Sequence, residues 1–187
     1  MNLLIAGIDE AGRGPLIGSV VAAAVILDPE NPIIGLKDSK KLSSKQRDVL
    51  FNMIVEKSLC YAIAEASHEE IDEINILQAS LLAMQRAVTA LKIKPHQVLI
   101  DGKHAPKIDI PTTTLIGGDN LEPAISAASI LAKVTRDRQM IALDQTYPNY
   151  GFAGHKGYPT IKHRNAIKLY GVLPLHRKTF AGVKEFL

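Results

Sequence analysis

Four acidic residues follow short apolar runs: Asp9 and Glu10 after Leu4-Ile5-Ala6-Gly7-Ile8, Asp101 after Val98-Leu99-Ile100, and Asp119 shortly after Thr114-Leu115-Ile116. Such runs, rich in β-branched residues, read as buried strands, so each acid is expected where a strand ends. Neighbouring strand ends can converge, and carboxylates crowded into one small volume resist ionising together unless cations neutralise them. Magnesium and manganese, as hard divalent ions, prefer oxygen ligands. Two such ions about 3.5–4 Å apart can activate water and steady the leaving oxygen of a phosphodiester. The chemistry these residues suit is metal-dependent phosphodiester hydrolysis. Each acid also has a structural reading. Asp101-Gly102 is a turn signal, and Asp119, with Glu122 three residues on, suits a helix N-cap. Asp9-Glu10 is harder to dismiss, because adjacent acids at the end of a buried strand are costly unless solvated or neutralised.

Directly after the acid pair, Ala11-Gly12-Arg13-Gly14-Pro15 sets two glycines around an arginine. Glycines let backbone N–H groups approach a ligand closely, and an arginine adds a fork of charged donors, so a phosphate or sugar could lie against Asp9 and Glu10. A plain turn is the alternative. The pattern is not a dinucleotide-binding fingerprint, since a strand and not a helix follows Gly18, and no P-loop pattern occurs.

The elements that must position these residues can be read from periodicity. Residues 3–9 and 19–27 read as two strands joined by a Gly/Pro turn, and they are expected to pair. Ser43 and Gln46 fit a capping box opening a helix to about Lys57, and residues 59–66 read as another strand. A helix is expected over 75–92, ended by Pro95, then strands at 98–100 and 112–116. An alanine-rich helix follows over about 121–143, with Lys133, Arg136 and Arg138 among its polar positions, and Asp137 suits an i,i+4 pair with Lys133. Residues 147–159 read as a Gly/Pro/Tyr loop before a basic helix over about 160–170. The order implies an α/β fold with a mixed central sheet flanked by helices.

With 187 residues, 47% of them hydrophobic, the chain suits a single globular domain over 1–187, with a basic C-terminal extension from about 145. Residues 145–187 carry seven Lys or Arg against one acid, Glu185, which leaves residues 1–144 net negative. A basic face beside an acidic centre suits attraction of a polyanion, although a solvated basic helix would look the same. Cys60 is the only cysteine, which excludes an internal disulfide and a cysteine-rich zinc site. No apolar run approaches the roughly 20 residues that span a bilayer, and the first residues lack a secretory pattern, so a cytoplasmic protein is expected.

The stretch Gly7-Ile8-Asp9-Glu10-Ala11-Gly12-Arg13-Gly14-Pro15 resembles the signature of the type 2 ribonucleases H, specifically bacterial ribonuclease HII. Asp38-Ser39-Lys40-Lys41-Leu42, Asp101-Gly102, the run from Ser126 to Asp137, and His155-Lys156-Gly157-Tyr158-Pro159-Thr160 resemble further family blocks in family order. Such a set is far more specific than any one block. The resemblance implies a ribonuclease H-like fold and an endonuclease that cuts the RNA of RNA–DNA hybrids and beside single ribonucleotides in duplex DNA. By position, Asp9, Glu10, Asp101 and Asp119 would be catalytic ligands of Mn2+ or Mg2+, with Asp137 a weaker alternative to Asp119. Two ions would bridge the carboxylates and the scissile phosphate, leaving 3′-hydroxyl and 5′-phosphate ends. Gly12, Arg13 and Gly14 would grip the ribonucleotide, Tyr158 would sense its 2′-hydroxyl, and Lys40 would contact phosphate. A sliding clamp is a candidate partner, and a monomer is the default expectation.

Type 3 relatives carry an extra N-terminal domain, whereas this chain opens straight into its first strand, which favours type 2. Gly171-Val172-Leu173-Pro174-Leu175-His176-Arg177 departs from the more usual Gly-Pro-Ser-Pro-type segment, and His176 is expected at the surface. The rival readings are a non-catalytic hybrid-binding module and another ribonuclease H-like nuclease, such as a junction resolvase.

Overall fold

The computed structural model describes residues 3–36 and 42–187; Lys40 and its neighbours 37–41 lie outside the described residues. Five strands form one mixed sheet: β1 (Ile5–Ala11), β2 (Val20–Ile26), β3 (Cys60–Ala66), β4 (Gln97–Asp101) and β5 (Thr112–Leu115). Their order is β3-β2-β1-β4-β5. β1 runs antiparallel to β2 and parallel to β4, so the expected hairpin of the first two strands is present.

Side-chain alternation divides the sheet into two faces. Ile8 and Ile100, fully buried, face α2 (His68–Thr89), together with Ala79, Ala83 and Ala87 of that helix. Ala23 and Val25 face the other way, against α1 (Ser44–Lys57) and α4 (Pro123–Thr146). Burying Ile130 and Leu131 of α4 on this side contributes about 1.5–3 kcal/mol each. Close packing of α4 demands a glycine in β1. A Cβ on Gly7 would lie 2.1 Å from the Ala124 carbonyl carbon. A third apolar cluster joins Leu16, Ile17, Met140, Tyr150 and Phe152 to α6 (Ile161–Tyr170).

Several boundaries differ from the sequence reading. The Ser43–Gln46 capping box opens α1 as expected. α2, however, starts at His68 with its own capping box, Ser67 and Glu70, and breaks at Asn75, whose φ is 68°. The Asn75 side chain accepts the Leu77 and Gln78 N–H groups and so recaps the second segment. The periodic stripe from 76 onward revealed only that segment. α2 ends at Thr89, closed by Ala90 N–H donating to the Arg86 carbonyl, so Pro95 does not stop it. Asp119 is not a cap. It lies in the first turn of the short helix α3 (Gly118–Leu121), and Glu122 occupies the N-cap position of α4. A further short helix, α5 (Phe152–His155), interrupts the loop expected over 147–159.

Candidate active site

Parallel pairing explains how acids 92 positions apart meet. Ile8 of β1 is in register with Ile100 of β4, so the next residues, Asp9 and Asp101, stand side by side on the face opposite the two isoleucines. Asp9 and Glu10 lie inside β1, which continues to Ala11 along β2; only the pairing with β4 stops at Ile8. Gly118 N–H donates to Asp101 Oδ1 at 2.8 Å, which ties α3 to the end of β4 and brings Asp119 inward. One carboxylate oxygen from each of Asp9, Asp101 and Asp119 lies within 4.8 Å of the others.

Glu10 stands outside that triad but on the same cavity, where its Oε1 pairs with Arg13 Nη1 at 3.2 Å. Burial, then the carboxylates of Glu10 and Asp101, push the Asp9 carboxyl well above its ordinary range. Glu10 N–H, donating to Asp9 Oδ1 at 2.7 Å, offsets part of this. Burial also raises Glu10, with Arg13 opposing. These buried, mutually repelling oxygens fit a hard divalent cation, which would remove the repulsion and accept the donor set the site offers.

The cavity, about 320 Å³, is lined by Asp9, Glu10, Asp101, the Gly12–Gly14 turn, Ser129, Lys133 and Tyr158. The Tyr158 ring packs on the turn, its Cε1 3.2 Å from where a Gly14 Cβ would stand. Of the four expected carboxylates, Asp119 alone is not part of this lining and meets Asp9 and Asp101 in the triad instead; Lys40 lies outside the described residues. Asp137 is directed elsewhere: it accepts from Lys133 Nζ at 2.8 Å, the i,i+4 pair expected from spacing, and lies 3.9 Å from Arg47.

Behind the turn are residues that the sequence reading placed wrongly. His176 is fully buried and not a surface residue. Arg177, counted in the basic tail, is also fully buried, so its charge is not part of any outer face. Burial and the nearby Arg136 lower Arg177 to about 9, and burial lowers Arg136 to about 10. Both stay cationic at neutral pH. Arg136 donates to the Ile17 carbonyl at 2.6 Å, while its Nε and Nη1 reach no acceptor. An incompletely satisfied buried guanidinium directly behind Gly12 gives the turn a positive field suited to an anion.

The sequence model of the Ribonuclease HII family matches residues 6–183. The chain belongs to the ribonuclease HII family. It is 60% identical to the ribonuclease HII of Acinetobacter baylyi over 185 residues, covering 98% of both chains. Membership in the ribonuclease HII family makes it a metal-dependent endoribonuclease, a hydrolase of phosphodiester bonds. Among solved structures, the ribonuclease H2 of Pyrococcus horikoshii OT3 is 31% identical with a TM-score of 0.83, covering 98% of this chain and 97% of that one. The RNase HII of Archaeoglobus fulgidus, solved in complex with PCNA, is 26% identical with a TM-score of 0.76, covering 96% of both. Bst-RNase HIII, solved in complex with Mn2+, is 19% identical and shares the fold, with a TM-score of 0.77. This chain covers 98% of its own length but 68% of that protein. The ribonuclease H-like α/β fold implied by the sequence is thus the fold of the molecule, and no helix among the described residues is long and apolar enough to cross a membrane.

Proposed function

We propose that this ribonuclease HII hydrolyses the RNA strand of RNA–DNA hybrids and cuts duplex DNA on the 5′ side of an embedded ribonucleotide, leaving 3′-hydroxyl and 5′-phosphate ends. One observation carries the reading: Asp9, Asp101, the Gly12–Gly14 turn and Tyr158 line a single cavity, and Asp119 completes an acidic triad with the first two. Asp9, Glu10, Asp101 and Asp119 would hold Mn2+ or Mg2+, the three aspartates as the close triad and Glu10 from the same cavity. Divalent ions bound there would supply charge neutralisation on the phosphate and acidify water.

The protein's own groups orient the substrate. Gly12 to Gly14 let the backbone approach a phosphate or sugar, with Arg13 half-exposed beside Glu10. Lys133 adds a cation on the cavity wall. Tyr158, 43% exposed and with its ring against Gly14, would meet a 2′-hydroxyl, the group that distinguishes RNA from DNA. The Mn2+ complex of Bst-RNase HIII supports the choice of ion, and the PCNA complex of the Archaeoglobus relative supports a sliding clamp as partner.

The test is incubation with duplex DNA carrying one ribonucleotide, with and without Mn2+. Cleavage is expected only with the metal, on the 5′ side of the ribonucleotide, and an all-DNA control is expected to react at least about 10⁴-fold more slowly, in the range of discrimination by a site built around a substrate hydroxyl. Equal cleavage of the all-DNA control would assign a different nuclease activity. Metal-dependent binding without turnover would make the chain a hybrid-binding module.

A further inference from the structure

The segment 171–177 ends in two buried residues, His176 and Arg177, whose hydrogen bonds lead toward Tyr158 and toward the Gly12–Gly14 turn. Arg177 spends all of its side-chain donors on the carbonyls that flank the turn. Nε donates to Gly18, Nη1 to Arg13 (2.9 Å) and Pro15 (2.7 Å), and Nη2 to Gly12 (2.6 Å) and Ser19 (3.2 Å). Its backbone N–H donates to Leu16. Residues 12–19 are thus wrapped around one guanidinium, whose five donors in a fixed fork no other side chain reproduces.

His176 starts a hydrogen-bond chain that ends at Tyr158. Leu173 N–H donates to His176 Nδ1 at 2.8 Å, so that nitrogen is unprotonated and the ring proton sits on Nε2. His176 Nε2 lies 3.1 Å from His163 Nε2, which must therefore accept. The His163 proton is then on Nδ1, which donates to the Tyr158 carbonyl at 3.0 Å. Both rings are neutral near pH 7, since burial lowers each to about 4. His155 supports the same strand of chain. It stacks on His163 with centroids 4.6 Å apart and accepts Gly157 N–H at Nδ1.

We propose that His176-Arg177 is the positioning dipeptide of this site: Arg177 fixes the Gly12–Gly14 turn, His176 fixes the Tyr158 backbone through His163, and together they set the gap that admits a ribonucleotide. This rests on the function proposed above. Neither residue lines the cavity or touches a reacting group; each acts through the residues it holds.

His176→Leu keeps similar bulk but breaks the chain, whereas His176→Gln can still accept from Leu173 and donate to His163. With Mn2+ present, His176→Leu is expected to lower kcat/KM on the single-ribonucleotide duplex by about 10–100-fold, the scale of a misplacement near 1 Å. Its Mn2+ affinity, read by calorimetry, should stay within about twofold, and His176→Gln should recover kcat/KM to within about threefold of wild type. A folded His176→Leu with wild-type kcat/KM, or one that loses Mn2+ affinity in step with turnover, overturns the inference.

If His176→Leu does not fold, the wiring is decided in the wild-type protein by 15N NMR of labelled histidines. Nε2–H on His176 and Nδ1–H on His163 support it, and the opposite tautomer on either ring overturns it. Wild-type protein that cuts no ribonucleotide-containing duplex would instead overturn the proposed function.

Discussion

Asp9→Asn is expected to lower cleavage of the ribonucleotide-containing duplex by at least about 10³-fold, while the dissociation constant for that duplex changes by less than about threefold. Asp9 is one of the two buried members of the triad and neighbours Asp101 across the sheet, so removing its charge weakens the triad's claim on a cation. Duplex affinity depends on other groups, chiefly Lys and Arg contacts to phosphate, and so survives.

The same variant is expected to be more stable than wild type when no metal is present. A carboxyl whose folded pKa is raised, as burial raises Asp9, contributes stability below its unfolded pKa and loses it as pH rises through the folded one. Neutral pH lies well above the unfolded pKa, so the wild-type metal-free protein has there lost at least part of that contribution; the amide never does. The gain should be about 0.5–2 kcal/mol, typical for relieving a functional site, or roughly 1–8 °C in Tm for a chain of this size. The difference should shrink as pH falls below the folded pKa of Asp9. Added Mn2+ should also shrink it, because the ion stabilises wild type more than the variant. Thermal melts with chelator and with Mn2+, at two pH values, check all of these signs.

Gly12→Ala is expected to cost about 10²-fold in kcat/KM and about 1–3 kcal/mol in stability. Gly12 has φ of 96°, in the region that side chains rarely adopt. A Cβ there would meet Arg136 Nε at 2.8 Å and Cδ at 3.1 Å. The guanidinium cannot swing aside, since Arg136 is 2% exposed and donates to the Ile17 carbonyl. Either the turn shifts away from the cavity or Arg136 loses its bond, and both disturb where a phosphate would sit. Steady-state kinetics and a melt on the purified variant decide it. Unchanged turnover would mean that the turn does not touch substrate.

Strand and helix periodicity made the α/β sheet legible, because Ile-Asp at 8–9 and at 100–101 marks two strands with one residue buried on each side. The parallel register that pairs them was not legible, since it joins segments separated by two helices and two strands. The local setting of Asp119 is not legible in the sequence: Gly117-Gly118 looks like a plain turn, whereas Gly118 opens α3 and its N–H bonds Asp101 Oδ1. The first turns of α2 were missed because acids fill most of residues 69–73 and blur the apolar stripe.

His176 and Arg177 show the opposite difficulty. A histidine and an arginine in a basic tail read as surface residues, and only the packing of that tail beneath the 12–19 turn buries them. A signal was present in the glycine-rich turn itself. Its carbonyls, exposed on a backbone with few side chains, need donors from somewhere, and the buried guanidinium supplies them.

Manganese is the most direct probe of the central claim, because it can be located by anomalous scattering in crystals of the wild-type protein. At least one ion is expected within about 2.3 Å of oxygens from Asp9, Asp101 and Asp119, the bond length of hard divalent cations with carboxylates. Manganese found only away from this triad, with Asp9 and Asp101 bound to no ion, would contradict the account.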